Sequence, residues 1–72
     1  MEEIKDKVEQ KIKDIKKMLK DNVIVKTRDL NGMHQIRDIV KGQDVIIVMY
    51  KDGSAIFLTY KQFLEKKIVF EG

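Results

Sequence analysis

The chain has 72 residues, a formal net charge of +3, no cysteine and no proline. This length predicts one domain, close to the lower limit at which a hydrophobic core alone stabilises a fold. Without cysteine there are no disulfides and no thiolate metal sites, which suits a reducing compartment. The charged N-terminus and the lack of any apolar run of about 18 residues argue against a secretory signal and a membrane span. A cytoplasmic protein without membrane contact is therefore expected.

Residues 2–20 are predicted to form an amphipathic helix within an N-terminal unit of residues 1–21. Its apolar residues recur at spacings of three and four and form one stripe. The stripe consists of Ile4, Val8, Ile12, Ile15 and Leu19, with Met18 at its edge. It is expected either to pack on the rest of the chain or to pair two copies into a homodimer. The first is favoured, because so short a helix makes only a marginal coiled coil.

The hydrophobic period changes after Asn22, in the second predicted unit, residues 22–72. Asparagine tolerates the left-handed conformation that ends helices, and the β-branched segment "VIVKT" follows it. The segment "MHQIRDIV", residues 33–40, fits both a strand and a short helix. Its position between the turn signals Asn31-Gly32 and "KGQD" favours a strand that enters a hairpin.

The C-terminal part of the chain predicts two strands, one helical turn and a last strand. The run "VIIVMY" is continuously apolar, which is typical of a strand with little solvent on either face. Asp52-Gly53 predicts a type I′ turn into "SAIFLTY", after which "KQFLEKK" predicts a single helical turn and "IVF" a fifth strand. Five short strands and tight turns predict a mostly β domain, a small antiparallel barrel without exposed edges, with the N-terminal helix against it.

Candidate catalytic and metal-binding residues are few. His34 is the only histidine and Ser54 the only serine, whereas nucleophilic catalysis needs a nucleophile, an adjacent base and a group that orients the base. A metal site would need His34 together with carboxylates such as Asp38, and one imidazole is a weak basis for it. The sequence therefore predicts a protein that is not an enzyme, with no catalytic residue, no metal and no cofactor.

Binding is the remaining class of function. Tyr50, Tyr60 and Phe63 are predicted either to belong to the core or to line an apolar groove. Lys51 and Lys61 would form the rim of such a groove, which would receive a segment of a partner protein. Because opposite charges are interspersed along the chain, we favour a regulatory binding module that acts through protein–protein interaction.

A nucleic-acid partner is the alternative. Small barrels often bind single strands on one face, with cations on the phosphates and aromatic side chains such as Tyr50, Tyr60 or Phe63 stacked on bases. The candidate cations are Lys26, Arg28, Arg37, Lys41, Lys61, Lys66 and Lys67.

The stretch "LTYKQFLEKKIVF", residues 58–70, resembles the end of the Veg-like proteins of Gram-positive bacteria. Those proteins are similar in having an N-terminal helix and an SH3-like barrel with one helical turn before the last strand. The resemblance implies a small five-stranded SH3-like barrel and a regulatory role. The chain departs from the family where a basic segment is expected, because an aspartate directly follows each of Arg28 and Arg37.

The segment "QDVIIVMYKDGSAIFLTYKQ", residues 43–62, also resembles Sm-like RNA chaperones of the Hfq type. These proteins likewise have a helix followed by five strands, and the resemblance implies RNA binding. In this chain Gln62 follows Tyr60-Lys61 where the family has histidine, and Ile36-Arg37 stands where the second strand of the family has glycine.

Overall fold

The computed structural model describes residues 2–71, so Met1 and Gly72, the end residues of the two predicted units, lie outside it. The predicted order of elements is confirmed: an N-terminal helix, five antiparallel strands, and a short helix before the last strand. Residues 33–40 form a strand and not a helix. The elements are α1 (Glu2–Lys20), β1 (Ile24–Asp29), β2 (Gly32–Lys41), β3 (Ile46–Tyr50), β4 (Ala55–Leu58), α2 (Tyr60–Glu65) and β5 (Ile68–Glu71).

Helix α1 ends at the asparagine that the sequence indicated. Asn22 has a φ of 63°, the left-handed conformation that reverses the chain. The N–H of Asn22 donates to the Leu19 carbonyl at 3.2 Å, and the N–H of Val23 donates to the Met18 carbonyl at 2.9 Å. These two bonds satisfy carbonyls at the helix end and form a Schellman motif, which directs the chain into β1.

The apolar stripe of α1 packs on the sheet of its own chain. Val8, Ile12 and Ile15 are buried, and the half-buried Met18 and Leu19 pack against the same core. This is the packing that the sequence favoured. The alternative, a homodimer through the helix, would need an exposed apolar stripe, but the central residues of the stripe are already covered by the sheet.

The five strands form one sheet in the order β4-β3-β2-β1-β5, and all neighbours are antiparallel. Strand β2 is the longest, and its register shifts between Ile36 and Asp38. The extra residue at this bulge bends the strand. One half of β2 therefore pairs with β1 and the other half with β3.

The predicted closure of the sheet into a barrel is not confirmed. Strands β4 and β5 lie at opposite edges of the sheet order, and no pairing joins them within residues 2–71. The coarser prediction holds: an N-terminal helix packs on a five-stranded antiparallel sheet. Two sheet edges follow from this topology.

The turn between β3 and β4 differs from the predicted type I′ turn. Gly53 has a φ of 95°, but Asp52 is not among the described residues with positive φ. The N–H of Gly53 donates to the Tyr50 carbonyl at 3.1 Å, and the N–H of Tyr50 donates to the Ser54 carbonyl at 2.9 Å. This is a three-residue loop with glycine at its left-handed position. Asp52 instead accepts hydrogen bonds from the Ser54 N–H and hydroxyl at 2.8 and 2.6 Å.

The core lies between the helix and the concave side of the sheet, here called the inner face. Its fully buried residues are Val8, Ile12, Ile15, Val25, Ile36, Ile39, Ile46, Val48, Tyr50 and Phe63. Thr59 caps α2: its hydroxyl accepts from the Gln62 N–H at 3.1 Å, and the Gln62 side chain accepts from the Thr59 N–H at 3.0 Å. This capping box fixes the start of α2, the short helix that carries the buried Phe63.

Candidate nucleic-acid interface

Of the two alternatives for the three aromatic residues, core or groove, the structure supports the core. Tyr50 is 2% exposed and Phe63 is fully buried, because both side chains fill the inner face of the sheet. Tyr60 is half-buried, and its hydroxyl lies 2.9 Å from the Gly42 carbonyl and 2.8 Å from that of Gln43. These three aromatic residues are part of the scaffold, and they do not form an exposed groove or a base-stacking surface.

The two lysines expected at the rim of that groove are exposed but lie apart. Lys61 is on α2, whereas Lys51 follows β3. The N–H of Lys51 donates to the Gln35 carbonyl at 2.9 Å, and its side chain lines a cleft that Arg37 also lines. Lys51 therefore belongs with part of the set of basic residues predicted for a nucleic-acid partner.

Alternation along β1 separates apolar from basic side chains. Val25 and Thr27 are buried on the inner face, which directs Lys26 and Arg28 to the opposite, outer face. The Thr27 hydroxyl is satisfied, since it donates to the Lys67 carbonyl at 2.8 Å. This hydrogen bond also ties the start of β5 to β1.

Three further cations share clefts with residues of the outer face: Lys67 with Arg28, and Arg37 and Lys51 with Gln35. In the register of β1 with β2, Arg28 lies opposite Met33 and Lys26 opposite Gln35. In the register with β5, Lys26 lies opposite Val69. The basic face, as we call this surface, consists of the cations Lys26, Arg28, Arg37, Lys51 and Lys67.

Two shallow clefts indent the basic face. One, of about 330 Å³, lies between Arg28 and Lys67 and has apolar walls from Met33 and Val69. The other, of about 300 Å³, is lined by Arg37 and Lys51 together with side chains from the end of α1 and the start of β1. Each cleft thus combines two cations with uncharged walls, a combination that suits an anion attached to an apolar or aromatic group.

One carboxylate shares the basic face. Glu71 lies 3.3 Å from the Lys26 ammonium group, and both side chains are partly exposed. Asp38 lies beyond the bulge, where it is opposite Met49 of β3, which in turn is opposite Ala55 of β4. The positive charge of the face is therefore concentrated on the β2–β1–β5 half of the sheet.

The three remaining predicted cations lie outside the basic face. Lys41 forms an ion pair with Glu9 of α1 at 2.8 Å, and this hydrogen bond raises the pKa of Lys41 and lowers that of Glu9. Lys66 follows α2 and lines a cleft beside Lys11 of α1, and Lys61 is exposed on α2. The structure thus brings together Lys26, Arg28, Arg37 and Lys67 of the predicted set, but not Lys41, Lys61 and Lys66.

His34 packs against Tyr50 beside two carboxylates. Its ring stacks on Tyr50 with centroids 4.6 Å apart, its Nε2 lies 2.9 Å from Asp29, and its Nδ1 lies 3.9 Å from Asp52. Only the Nε2 contact is short enough for a hydrogen bond. Asp38 instead accepts a hydrogen bond from the Ile39 N–H, and it is not a partner of His34.

No metal-binding cluster occurs in the described part of the chain: nowhere in residues 2–71 do three His, Cys, Asp or Glu side chains gather around a possible ion.

The environment of Tyr50 changes its pKa. Burial, reinforced by the negative charge of Asp29, raises the pKa of Tyr50 to about 12. The cluster of His34, Asp29 and Tyr50 therefore links the β1–β2 turn to the end of β3.

Comparisons with models of known protein families, with curated proteins and with solved structures find no match. None of the helices within residues 2–71 has the length and apolar character needed to cross a membrane.

Sequence reasoning missed the grouping of the cations and the participation of Met33, Val69 and Glu71. The alternation of Lys26 and Arg28 along β1 was the available local signal. Nothing local indicated that β5 would pair with β1.

Proposed function

We propose that this protein is a non-enzymatic module that binds single-stranded nucleic acid through the basic face. The observation that carries the proposal is the convergence of five cations from β1, β2, the β3–β4 turn and the start of β5 on one side of the sheet. Sequence reasoning favoured a protein partner because the charges alternate along the chain. Folding gathers five cations and only one carboxylate, Glu71, on the basic face, and the aromatic side chains that a protein partner would use are largely buried.

An extended polyanion fits this surface better than a small anion does. The cations are spread over neighbouring strands and turns, and the clefts among them are only partly enclosed. Phosphates spaced along a strand can contact several cations at once, whereas one small anion reaches only one or two. Affinity then comes mainly from counterion release and falls steeply with salt.

An unpaired base suits the cleft between Arg28 and Lys67. Met33 and Val69 form its walls, so a base can lie against apolar side chains while its phosphates contact the two cations. No Phe or Tyr side chain lines this cleft or the neighbouring one. Binding is therefore expected to depend little on sequence, and single strands are expected to bind more tightly than duplexes.

Fluorescence anisotropy with a labelled single-stranded oligonucleotide tests the proposal over a salt series. With three to five phosphate contacts, the slope of log K against log salt is expected to lie at about −2 to −3.5. The double variant Arg28→Gln, Lys67→Gln is expected to bind less tightly and to reduce the slope by about 1.4.

The matched control is Lys7→Gln, Lys16→Gln, which removes two exposed cations from α1 and gives the same net charge. It is expected to retain most of the affinity. Equal losses in both double variants would mean that only net charge matters and would refute a specific face. Equal competition by an acidic polypeptide would refute the nucleic-acid assignment.

A further inference from the structure

Strand β4 is an edge strand with no charge, proline or bulge to oppose pairing. It consists of Ala55, Ile56, Phe57 and Leu58, and it lies at the end of the sheet order. Natural proteins protect such edges with lysine, proline, a bulge or a very short strand. Of these four features β4 has only its short length, which still allows pairing over its four residues.

The outer face beside this edge is apolar. Val40, Ile47 and Phe57 lie opposite one another on β2, β3 and β4 and form what we call the apolar row. Phe57 is 67% exposed and Val40 is 43% exposed. A partner that extended the sheet at β4 would cover Phe57, the most exposed member of the row.

The hydrogen bonds of the β3–β4 hairpin determine which way the N–H and C=O groups of β4 point. The N–H of Tyr50 donates to the Ser54 carbonyl at 2.9 Å, so this pair is hydrogen-bonded. Hydrogen-bonded and non-hydrogen-bonded pairs alternate along an antiparallel ladder. In the register of β3 with β4, the N–H and C=O groups of Ala55 and Phe57 therefore point away from β3, toward the open edge.

We propose that two copies of the protein form a two-fold symmetric dimer by antiparallel pairing of their β4 strands, centred on Ile56. In this register Ala55 of each copy lies opposite Phe57 of the other. All the N–H and C=O groups that Ala55 and Phe57 direct to the open edge are then paired across the two-fold axis. The large Phe57 side chain packs beside the small Ala55, the self-complementarity that a two-fold contact requires.

The charges in and around β4 favour a second copy of this chain as the partner that pairs with it. Two molecules of net charge +3 repel, but β4 itself carries no charge. Of the two charged residues in the turn before β4, Lys51 lines the cleft with Arg37, which leaves Asp52 to oppose the sign of Lys61 after β4. Antiparallel pairing brings the Asp52 end of one strand beside the Lys61 end of the other. Dimerisation is expected to change nucleic-acid binding little, because four of the five cations of the basic face lie on or beside β1, β2 and β5, and only Lys51 lies in the turn that precedes β4.

Sedimentation equilibrium of the full chain from about 1 µM to about 1 mM tests the dimer. The wild type is expected to fit a monomer–dimer equilibrium, and Phe57→Lys is expected to weaken it by at least about tenfold. Phe70→Lys is the matched control, since Phe70 is 44% exposed on β5, at the far edge of the sheet. Circular dichroism verifies that both variants fold. A wild type that stays monomeric, or equal weakening by both variants, would overturn the proposal.

A single cysteine tests the register, because the natural chain has none. Ile56 of the two copies would form a non-hydrogen-bonded pair with Cα atoms about 4.5 Å apart, within disulfide range. Ile56→Cys is therefore expected to form a disulfide-linked dimer under mild oxidation. Ser54→Cys would lie about 13 Å from its counterpart and is expected to stay unlinked. Linkage of the Ser54 variant alone would refute this register, and assemblies larger than a dimer would indicate pairing with β5 instead.

Discussion

The ammonium group of Lys11 on α1 lies 2.6 Å from the backbone carbonyl oxygen of Phe63 on α2. It also reaches the carbonyls of Leu64 and Lys66 at 3.3 and 2.7 Å, and it lies 4.9 Å from the centre of the Phe63 ring. The last carbonyls of a helix lack partners within the helix, and its C-terminal end attracts cations. Burial lowers the pKa of Lys11. One lysine thus joins the two helices and completes the end of the shorter one.

Replacing Lys11 with methionine is expected to destabilise the protein by about 1–3 kcal/mol, because it removes a charged donor from three partly buried carbonyls, although that of Phe63 keeps the Lys66 N–H at 3.2 Å. Urea unfolding followed by circular dichroism measures this loss. The control, Lys7→Met, changes an exposed lysine one turn earlier on α1 and is expected to have little effect. Similar losses in the two variants would show that Lys11 contributes only as a solvated surface charge.

The raised pKa of Tyr50 predicts a loss of stability at alkaline pH. Burial and the charge of Asp29 raise this pKa from 10.0 to about 12, so the folded state holds the phenolic proton more tightly than the unfolded state does. The resulting stabilisation is complete below pH 10 and is lost as the pH rises toward 12. Relative to Tyr50→Phe, the wild type is expected to lose up to about 1.4 kcal/mol per pH unit in this range. Parallel unfolding curves for the two proteins would contradict this expectation.

The lowered pKa of Asp29 predicts a change in stability at acidic pH. The hydrogen bond from the Asn31 N–H, together with that from His34, holds the pKa of Asp29 below its usual 3.8. A carboxyl group with a lowered pKa stabilises the fold above pH 3.8, and this contribution is lost as the pH falls through the folded-state pKa. Asp29→Asn is therefore expected to be destabilised at neutral pH, by an amount that shrinks below pH 4. Asp44→Asn, at an exposed position in the β2–β3 turn, is the control.

Glu71 is expected to oppose nucleic-acid binding. Its carboxylate lies 3.3 Å from Lys26 and would repel a phosphate at that point of the basic face. Glu71→Gln frees the lysine and is expected to raise the affinity for a single-stranded oligonucleotide by about two- to five-fold at low salt, the range expected for an exposed ion pair. Glu65→Gln, which makes the same charge change on α2, is expected to have a smaller effect. Anisotropy titration compares the two variants, and equal gains would contradict the role of Glu71.

Local patterns were sufficient for the order of elements. The stripe of α1 follows from apolar residues at helical spacing, and its end follows from the tolerance of Asn22 for left-handed backbone. Predicting a strand at residues 33–40 required the two flanking turn signals, because the spacing of its apolar residues fits both a strand and a helix. The type of turn at Asp52-Gly53 was predicted wrongly, since the dipeptide fixes where the chain reverses but not how many residues the loop contains.

The candidate site depended on pairings that local patterns do not contain. Arg28 and Lys67 are 39 positions apart in the sequence, and they share a cleft only because β5 pairs with β1. Likewise, the sequence allows Tyr50 and Phe63 to be either core or groove residues, and only the tertiary structure shows that both are buried.

The sequence by itself determined which segments are helix, strand and turn, because those choices depend on side chains within a few positions of one another. The tertiary structure decided that the sheet has two edges and that one face gathers the cations. Strand order and register depend on which apolar faces can be buried together, and this is settled by contacts between residues that are far apart in the chain.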